Sequence, residues 1–537
     1  MKRMLSLLLV LTMIVSLCSA CGNNTNDQTN TPGDTQQNTQ QDPQGSEATN
    51  PTQPSDGEVT YKSAIRIATT GDMPSSCPYG NSSTQTSITT NSTCNGLVTM
   101  NPDGTAQEEL AVSWETNDDS TVWTFKLREG VKFHDGSDFT SEDVKFTWEY
   151  ASTTESEGIN WPITGYEMVD SIETPDAYTV VFNMKQSCPD WLFYAAQKIM
   201  SKNAVDTLGA EQGASVGTGP YKMKAQETGV SWTIERFDGY WGEAPVTEEI
   251  TFVVITDASA RALTLRSGDV DAIFEANASD IVAFQADSNY NVYKAENSAN
   301  VYLGFNCGEG SQGANEIVRR AVAMAINRTD IVNACYENGA CAVESFNVIN
   351  NVTPGYVDVD YIPYDIEGAA KLLKDNGLSN VTLNLTTFAK YMSVAEMVQA
   401  NLSMAGITVN IRELAQSGFT GNLKSDPSAF DMYINATSSS GGVLNIMSRF
   451  FATNASASAL YYSDAQFDAL LETGTQSKTY DEMIAAYGQM QDYLAETVPA
   501  VALAQTYLWC IGSSNFYGVD LGTQTYDVDF TNSCVVE

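Results

Sequence analysis

Residues 381–440 constrain the fold more than any other stretch. They open with an alternating β-branched run, Val381-Thr-Leu-Asn-Leu-Thr-Thr-Phe388, whose apolar side chains recur at every second position, as on a strand with one face buried. Residues 391–404 follow, with Val394, Met397, Val398 and Leu402 on one helical face and Gly406 just beyond, where a left-handed residue commonly stops a helix. A second strand over 407–414, a short helix candidate over 418–423 and a third strand over 430–435 complete the set. Strands that alternate with helices need crossover connections, so the sheet is predicted to be largely parallel. Ligands of such sheets sit at the carboxyl ends of the strands. Those ends carry Phe388-Ala-Lys-Tyr391, Leu414-Ala-Gln-Ser417 and Ala436-Thr-Ser-Ser-Ser-Gly441. Lys390, Tyr391, Gln416, Ser417, Ser438, Ser439 and Ser440 are therefore predicted to form one wall of a binding cleft.

A second α/β core is predicted upstream. A strand over 250–255, a helix over 259–266 closed by Gly268, and a strand over 270–274 make a βαβ unit. Strands over 65–69, 218–224 and 230–236 join it, and residues 91–97 read as a lead into the turn Asn101-Pro-Asp-Gly104. Between these lie strands over 110–114, 123–127 and 178–184, with 131–134 running on to the turn Asp135-Gly136. Thr140-Ser-Glu-Asp143 is a capping-box pattern opening a helix over 144–150. An extended segment over 300–306 bridges to helices over 315–326 and 329–336, then to a helix over 365–376 capped by Asp365 and stopped by Gly377. Helices over 464–471 and 480–496 precede a strand-like tail over 498–511. Two α/β cores joined by a crossing segment imply two lobes that hinge over a ligand.

Residues 1–20 have a basic start, an apolar core over 5–17 and small residues before Cys21, the pattern of a bacterial export signal. Cys21-Gly22 resembles a lipoprotein processing site, which makes Cys21 the expected lipidated terminus and the outer face of the cell membrane the expected location. Residues 22–57 are almost wholly small and polar, too poor in apolar surface to offset ordering entropy, and read as a tether. With 66 acidic against 27 basic residues the net charge is −39, which repels polyanions and excludes nucleic acid as a partner. Eight cysteines follow the signal and Cys21. Cys77/Cys94 and Cys335/Cys341 are the near pairs, but spacing does not define connectivity, and buried thiols are the equal alternative.

Enzymatic chemistry finds no footing. Gly213-Ala-Ser-Val-Gly217 matches a nucleophile elbow in letters only, since no strand precedes it, no helix follows, and the single histidine, His134, lies upstream. One histidine also excludes a two-histidine zinc motif. A hydrolase is set aside on these grounds, and no cofactor is expected.

Several motifs carry a family resemblance. Leu110-Ala-Val-Ser-Trp114, the run from Trp123 through His134-Asp-Gly136, and Phe139-Thr-Ser-Glu-Asp-Val-Lys-Phe146 resemble the signature of the family 5 solute-binding proteins of ABC importers. Gly217-Thr-Gly-Pro-Tyr-Lys222, Glu235-Arg-Phe-Asp-Gly-Tyr-Trp241, Leu265-Arg-Ser-Gly-Asp-Val-Asp271 and the run from Val318 to Arg328 match further family motifs in order. The resemblance implies an α/β, two-lobed periplasmic-binding-protein-like fold (type II, cluster C). Lobe 1 would be discontinuous (61–95, 208–298 and 498–537), a small α+β domain would occupy 96–207, and lobe 2 would be 299–497. It implies a monomer that captures a solute, an oligopeptide or dipeptide first and an oligosaccharide or nickel chelate as the alternative, and delivers it to a membrane permease. It also points to Thr89, Asn91 and Asn306 as contacts near the cleft. Peptide binders of the family carry a Trp after the third strand and, three residues on, an Asp that pairs with the peptide ammonium. Here Asn435-Ala-Thr-Ser-Ser-Ser-Gly-Gly442 has neither. Because an unpaired buried ammonium costs several kcal/mol, either another acid, Glu275 or Glu413, supplies the charge, or the ligand has no free amino end there.

Overall fold

The computed structural model describes residues 59–537, apart from 82, 102–103, 161, 379, 439–441 and 523–527. The signal, Cys21 and the tether lie outside the described residues, as do Ser439 and Ser440.

The sheet that organises the molecule has eleven strands. Its path runs from Thr408–Glu413 at one edge through Thr382–Thr387 and Met432–Ser438 to two long strands, Tyr290–Phe305 and Ala500–Ser513. It continues through Ala272–Phe274, Ala64–Thr69, Glu249–Val254 and Ser231–Arg236 to Tyr221–Glu227, while Ala342–Glu344 pairs beside the second long strand. Thr382–Thr387 is parallel to both its neighbours, as expected for strands joined by crossovers. Ala64–Thr69 is likewise parallel to Glu249–Val254 and Ala272–Phe274. The two α/β cores therefore exist, but as halves of one continuous sheet. The crossing segment is also longer than the 300–306 expected: sixteen residues pair antiparallel with fourteen. At about 3.4 Å per residue such a strand is roughly 50 Å long, enough to belong to both lobes.

Each lobe has its own core. Leu383, Leu385, Val394, Val398, Leu402, Ile434 and Phe467 are buried together in lobe 2. In lobe 1, Ile67 and Ala68, neighbours that point to opposite faces, belong to different clusters, so that half of the sheet is covered on both sides. A third core, around Trp123, Phe125, Trp148, Phe182 and Trp191, fills a small four-stranded antiparallel sheet of Ala111–Thr116, Val122–Leu127, Thr179–Met184 and Val169–Asp176. The helix Ser141–Tyr150 packs with it and opens as its sequence predicts: the Thr140 amide and hydroxyl donate to Asp143 Oδ2 at 2.9 and 3.1 Å.

The structure corrects one expected strand and adds two elements that no sequence pattern marked. Residues 84–93 form a helix, although Thr-Gln-Thr-Ser-Ile-Thr-Thr-Asn-Ser-Thr is neither amphipathic nor rich in helix formers. Ser83 accepts the Thr86 amide as a cap, and the Thr89 and Thr93 hydroxyls donate back to the Gln85 and Thr89 carbonyls at 3.0 Å, so the polar helix satisfies itself inside the fold. Residues 131–134 are not a strand, because Lys132 only bridges to Asp138 across the Asp135-Gly136 turn. The strand Val169–Asp176 carries too mixed a pattern to have been read, being an edge strand with one covered side. Cys77, Cys94, Cys188, Cys307, Cys335, Cys341, Cys510 and Cys534 are all free thiols. Burial pushes the Cys77 and Cys94 thiols up to about 11, which keeps them protonated and unreactive.

Candidate ligand cleft

Strand register singles out one line as the candidate cleft. In lobe 2, Met432 lies opposite Phe305 and Ser438 opposite Ala299, so the parallel strands of that lobe run toward the middle of the first crossing strand. In lobe 1, Ala272 lies opposite Gly512 and Phe274 opposite Cys510, so those strands run toward the middle of the second. The carboxyl ends of both parallel blocks thus converge from opposite sides on one line, where the crossing pair shifts register between Glu296 and Asn300. Carboxyl ends of parallel strands are where α/β sheets bind ligands. Here two such edges face each other.

The line itself is polar and aromatic. The Lys294 ammonium stands 3.5 Å from the centre of the Tyr507 ring and 5.9 Å from that of Trp509, and burial lowers its pKa. Asn300 donates to the Asn347 carbonyl at 2.7 Å. Its Oδ1, and the Nε2 of Gln505 opposite it in register, are buried and make no hydrogen bond among the described residues.

The lobe 2 wall contains part of the predicted set. Gln416 lines a hollow of about 360 Å³ together with Phe388, Phe419, Thr420 and Asn435. Ser417 is exposed beside it. Tyr391 is buried against Phe388, with ring centres 5.0 Å apart, and Lys390 lies over its ring at 5.6 Å. Tyr391 is thus core, and burial raises its phenol pKa while Lys390 opposes the rise. Ser438 ends its strand opposite Ala299, at the cleft line.

Other predicted contacts lie elsewhere. Thr89 is fully buried, with its hydroxyl committed to Gln85. Asn306 follows the lobe 2 end of the crossing strand, next to the amino end of Met432–Ser438 and so at the edge away from the cleft. Its amide is consumed by the Pro427 and Phe430 carbonyls at 2.8 and 3.1 Å and by the Gly308 N–H at 3.0 Å. In this structure both side chains are hydrogen-bonded within the fold. Of the two candidate acids, Glu413 sits on the edge strand, three strands from the crossing pair. Glu275 immediately follows the lobe 1 strand Ala272–Phe274 beside the crossing pair, its N–H donating to the Trp509 carbonyl at 3.0 Å.

Asn91 is partly buried and donates to the Val528 carbonyl at 3.3 Å. It also lines a hollow of about 310 Å³ with Thr90, Met100, Phe193 and Lys198. Met100 and Phe193 are shared with a further cavity of about 370 Å³, lined also by Val443, Met483, Ile484 and Tyr487 of lobe 2. The two hollows lie side by side on Met100 and Phe193, one bordered by Thr90 and Asn91 of the helix Thr84–Thr93 and the other by Val443, which follows the third lobe 2 strand. Sequence reasoning missed this apolar chamber because its walls come from segments hundreds of residues apart, with no local pattern to mark it.

Comparison with known proteins agrees with this architecture. The dipeptide-binding protein of Escherichia coli (strain K12) is 25% identical over 438 residues, 74% of this chain and 80% of its own length. The ABC transporter substrate binding protein CtaP from Listeria monocytogenes superposes with a TM-score of 0.80 at 22% identity, covering 89% of this chain and 100% of that one. DppA from Helicobacter pylori, solved in complex with the peptide STSA, gives a TM-score of 0.74 at 22% identity over 89% of this chain and 99% of that one. Residues 105–458 match the sequence model described as bacterial extracellular solute-binding proteins, family 5, and the chain belongs to that family.

Proposed function

We propose that this protein is the peptide receptor of an ABC importer: it closes its two lobes on a short peptide, leaves the peptide chemically unchanged, and hands it to a membrane permease. The observation that carries the reading is the convergence of both sets of strand carboxyl ends on the crossing pair, and the slot we propose for the ligand lies along that line. An extended peptide laid along such a slot is held by its backbone, with side chains in flanking hollows. The similarity to a dipeptide-binding protein supports peptides as the ligand class. Glu275 and the wall residues Gln416, Ser417 and Ser438 are the proposed polar contacts on the two sides.

The same proposal has the chain act as a monomer, exported and tethered to the outer face of the membrane through lipidated Cys21. Mass spectrometry of material co-purified with the full chain, followed by calorimetric titration of what is found, tests the ligand class. Peptides recovered intact support the reading; a non-peptide solute, or peptides that emerge cleaved, sinks it. Radiolabelled fatty acid incorporated into the wild type and absent from Cys21→Ser tests the anchor.

A further inference from the structure

The apolar chamber between the small domain and lobe 2 has one carboxylate among its described lining residues. Asp190 lines the cavity of about 370 Å³ whose other walls include Met100, Trp114, Phe193, Val443 and Ile484. That volume lies within the range of roughly 300–1,000 Å³ typical of small-molecule sites. Asp190 precedes the short helix Trp191–Ala195, but its carboxylate makes no capping hydrogen bond there. Among the described residues its side-chain donors are neutral: the Cys188 thiol at 3.4 Å and, across the gap to lobe 2, the Tyr487 hydroxyl at 3.3 Å. Among the described residues no Lys or Arg reaches it within salt-bridge distance. Burial raises its carboxyl pKa, as expected of an acid held in an apolar chamber without a counter-ion.

We propose that Asp190 seats the primary ammonium of an amphipathic ligand whose apolar part fills the chamber between the small domain and lobe 2. A carboxylate with an apolar surround is selective for this chemistry. A neutral polar group would gain little, an anion would be repelled, and a cation supplies the partner the site lacks while its alkyl part displaces water from Met100, Phe193 and Ile484. The Tyr487 hydroxyl already bridges the carboxylate to lobe 2, so a ligand bound at this point touches both bodies. The assignment rests on the peptide reading for one point only: the ammonium is taken to be a peptide's amino end.

Calorimetric titration of the full chain, stripped of co-purified ligand, separates the two. The probes are trileucine, N-acetyl-trileucine, leucinamide and N-acetyl-leucinamide, on wild type, Asp190→Asn and Tyr487→Phe, with thermal melts to establish folding. The expected result is that N-acetylation weakens binding to the wild type about tenfold or more. Asp190→Asn should weaken the free-amine probes by a similar factor and leave the acetylated ones unchanged, whereas Tyr487→Phe, which keeps the charge, should retain discrimination. Free-amine binding that is equal in wild type and Asp190→Asn overturns the proposal while leaving the peptide reading intact. Asp190-dependent binding of leucinamide without binding of trileucine keeps the ammonium seat and overturns the peptide reading. Rescue of an N-acetylated peptide by an internal lysine assigns the seat to side-chain rather than terminal ammonium. Failure of every free-amine probe on the wild type overturns both.

Discussion

The imidazole of His134 accepts the backbone N–H of Gly217 at Nδ1 over 3.2 Å, while its Nε2 faces the Gly219 carbonyl at 3.0 Å. Only the neutral ring with its proton on Nε2 satisfies both partners. The chain's one histidine thereby pins the turn of the small domain to the glycine motif of lobe 1. A protonated ring would put two N–H groups against each other, and burial accordingly lowers its pKa from 6.5 to about 4.

That depression sets a pH dependence. Above pH 6.5 the ring is neutral whether the chain is folded or not, and contributes no pH slope. Between about 6.5 and 4 the unfolded chain binds a proton that the folded one does not, so stability falls with falling pH, by up to about 3 kcal/mol in total. Urea melts at half-unit pH steps should show this slope in the wild type. His134→Phe should be less stable at neutral pH and should lose the His134 share of the slope. Identical slopes would mean that the ring is charged in the fold.

Gly217 and Gly219 are required by close backbone approach. A Cβ on Gly219 would lie 2.6 Å from the Ser92 carbonyl oxygen, and one on Gly217 would collide with the Thr93 carbonyl. Both obstacles are backbone at the end of the helix Thr84–Thr93 and have no rotamer to move away. Gly219→Ala is expected to cost about 1–3 kcal/mol, read as a lowered denaturation midpoint with unchanged m-value. A midpoint equal to wild type refutes the packing.

Arg319, from the family motif that begins at Val318, is a structural clamp. Its guanidinium donates to the Thr497, Val498, Gly313 and Ala314 carbonyls at 2.9–3.3 Å. It thereby ends the helix Tyr480–Thr497, where Val498 turns left-handed at φ 51° into the second crossing strand. Lysine has the charge but not the fork, so Arg319→Lys should lose about 2–4 kcal/mol as carbonyls go unpaired. Chemical denaturation checks the loss, while ligand affinity of the folded fraction should be unchanged.

Register predicts which wall residues matter for binding. Gln416→Ala and Asn435→Ala should weaken ligand binding by about 1–2 kcal/mol each with little change in melting temperature. Asn306→Ala should do the reverse, lowering stability and sparing affinity, because its amide is spent at the far edge of the sheet. Titration paired with thermal melts on the three variants distinguishes the cases. Loss of affinity in Asn306→Ala alone would invert the assignment of the cleft edge.

Much of this protein was legible along the chain because much of it is local. The apolar alternation of Leu383 and Leu385, the capping box of Thr140 and Asp143, and the left-handed stops at Gly268, Gly377 and Gly406 are decided within a few residues. Their alternation between strand and helix determined that each lobe would contain parallel strands. What residues 84–93 would do was not so determined. A threonine-rich segment has little intrinsic preference for a helix, and its hydroxyls settle into back-bonds only once the fold has enclosed them. Nor did any local pattern reveal that the two cores share one sheet, that Asn306 falls at the edge away from the line where the strand ends converge, or that Asp190 meets Tyr487, 297 residues away. Those facts depend on strand register and on which surfaces meet across the lobes. Register and docking are selected by the burial of whole faces at once, a quantity defined only when distant segments are already in place.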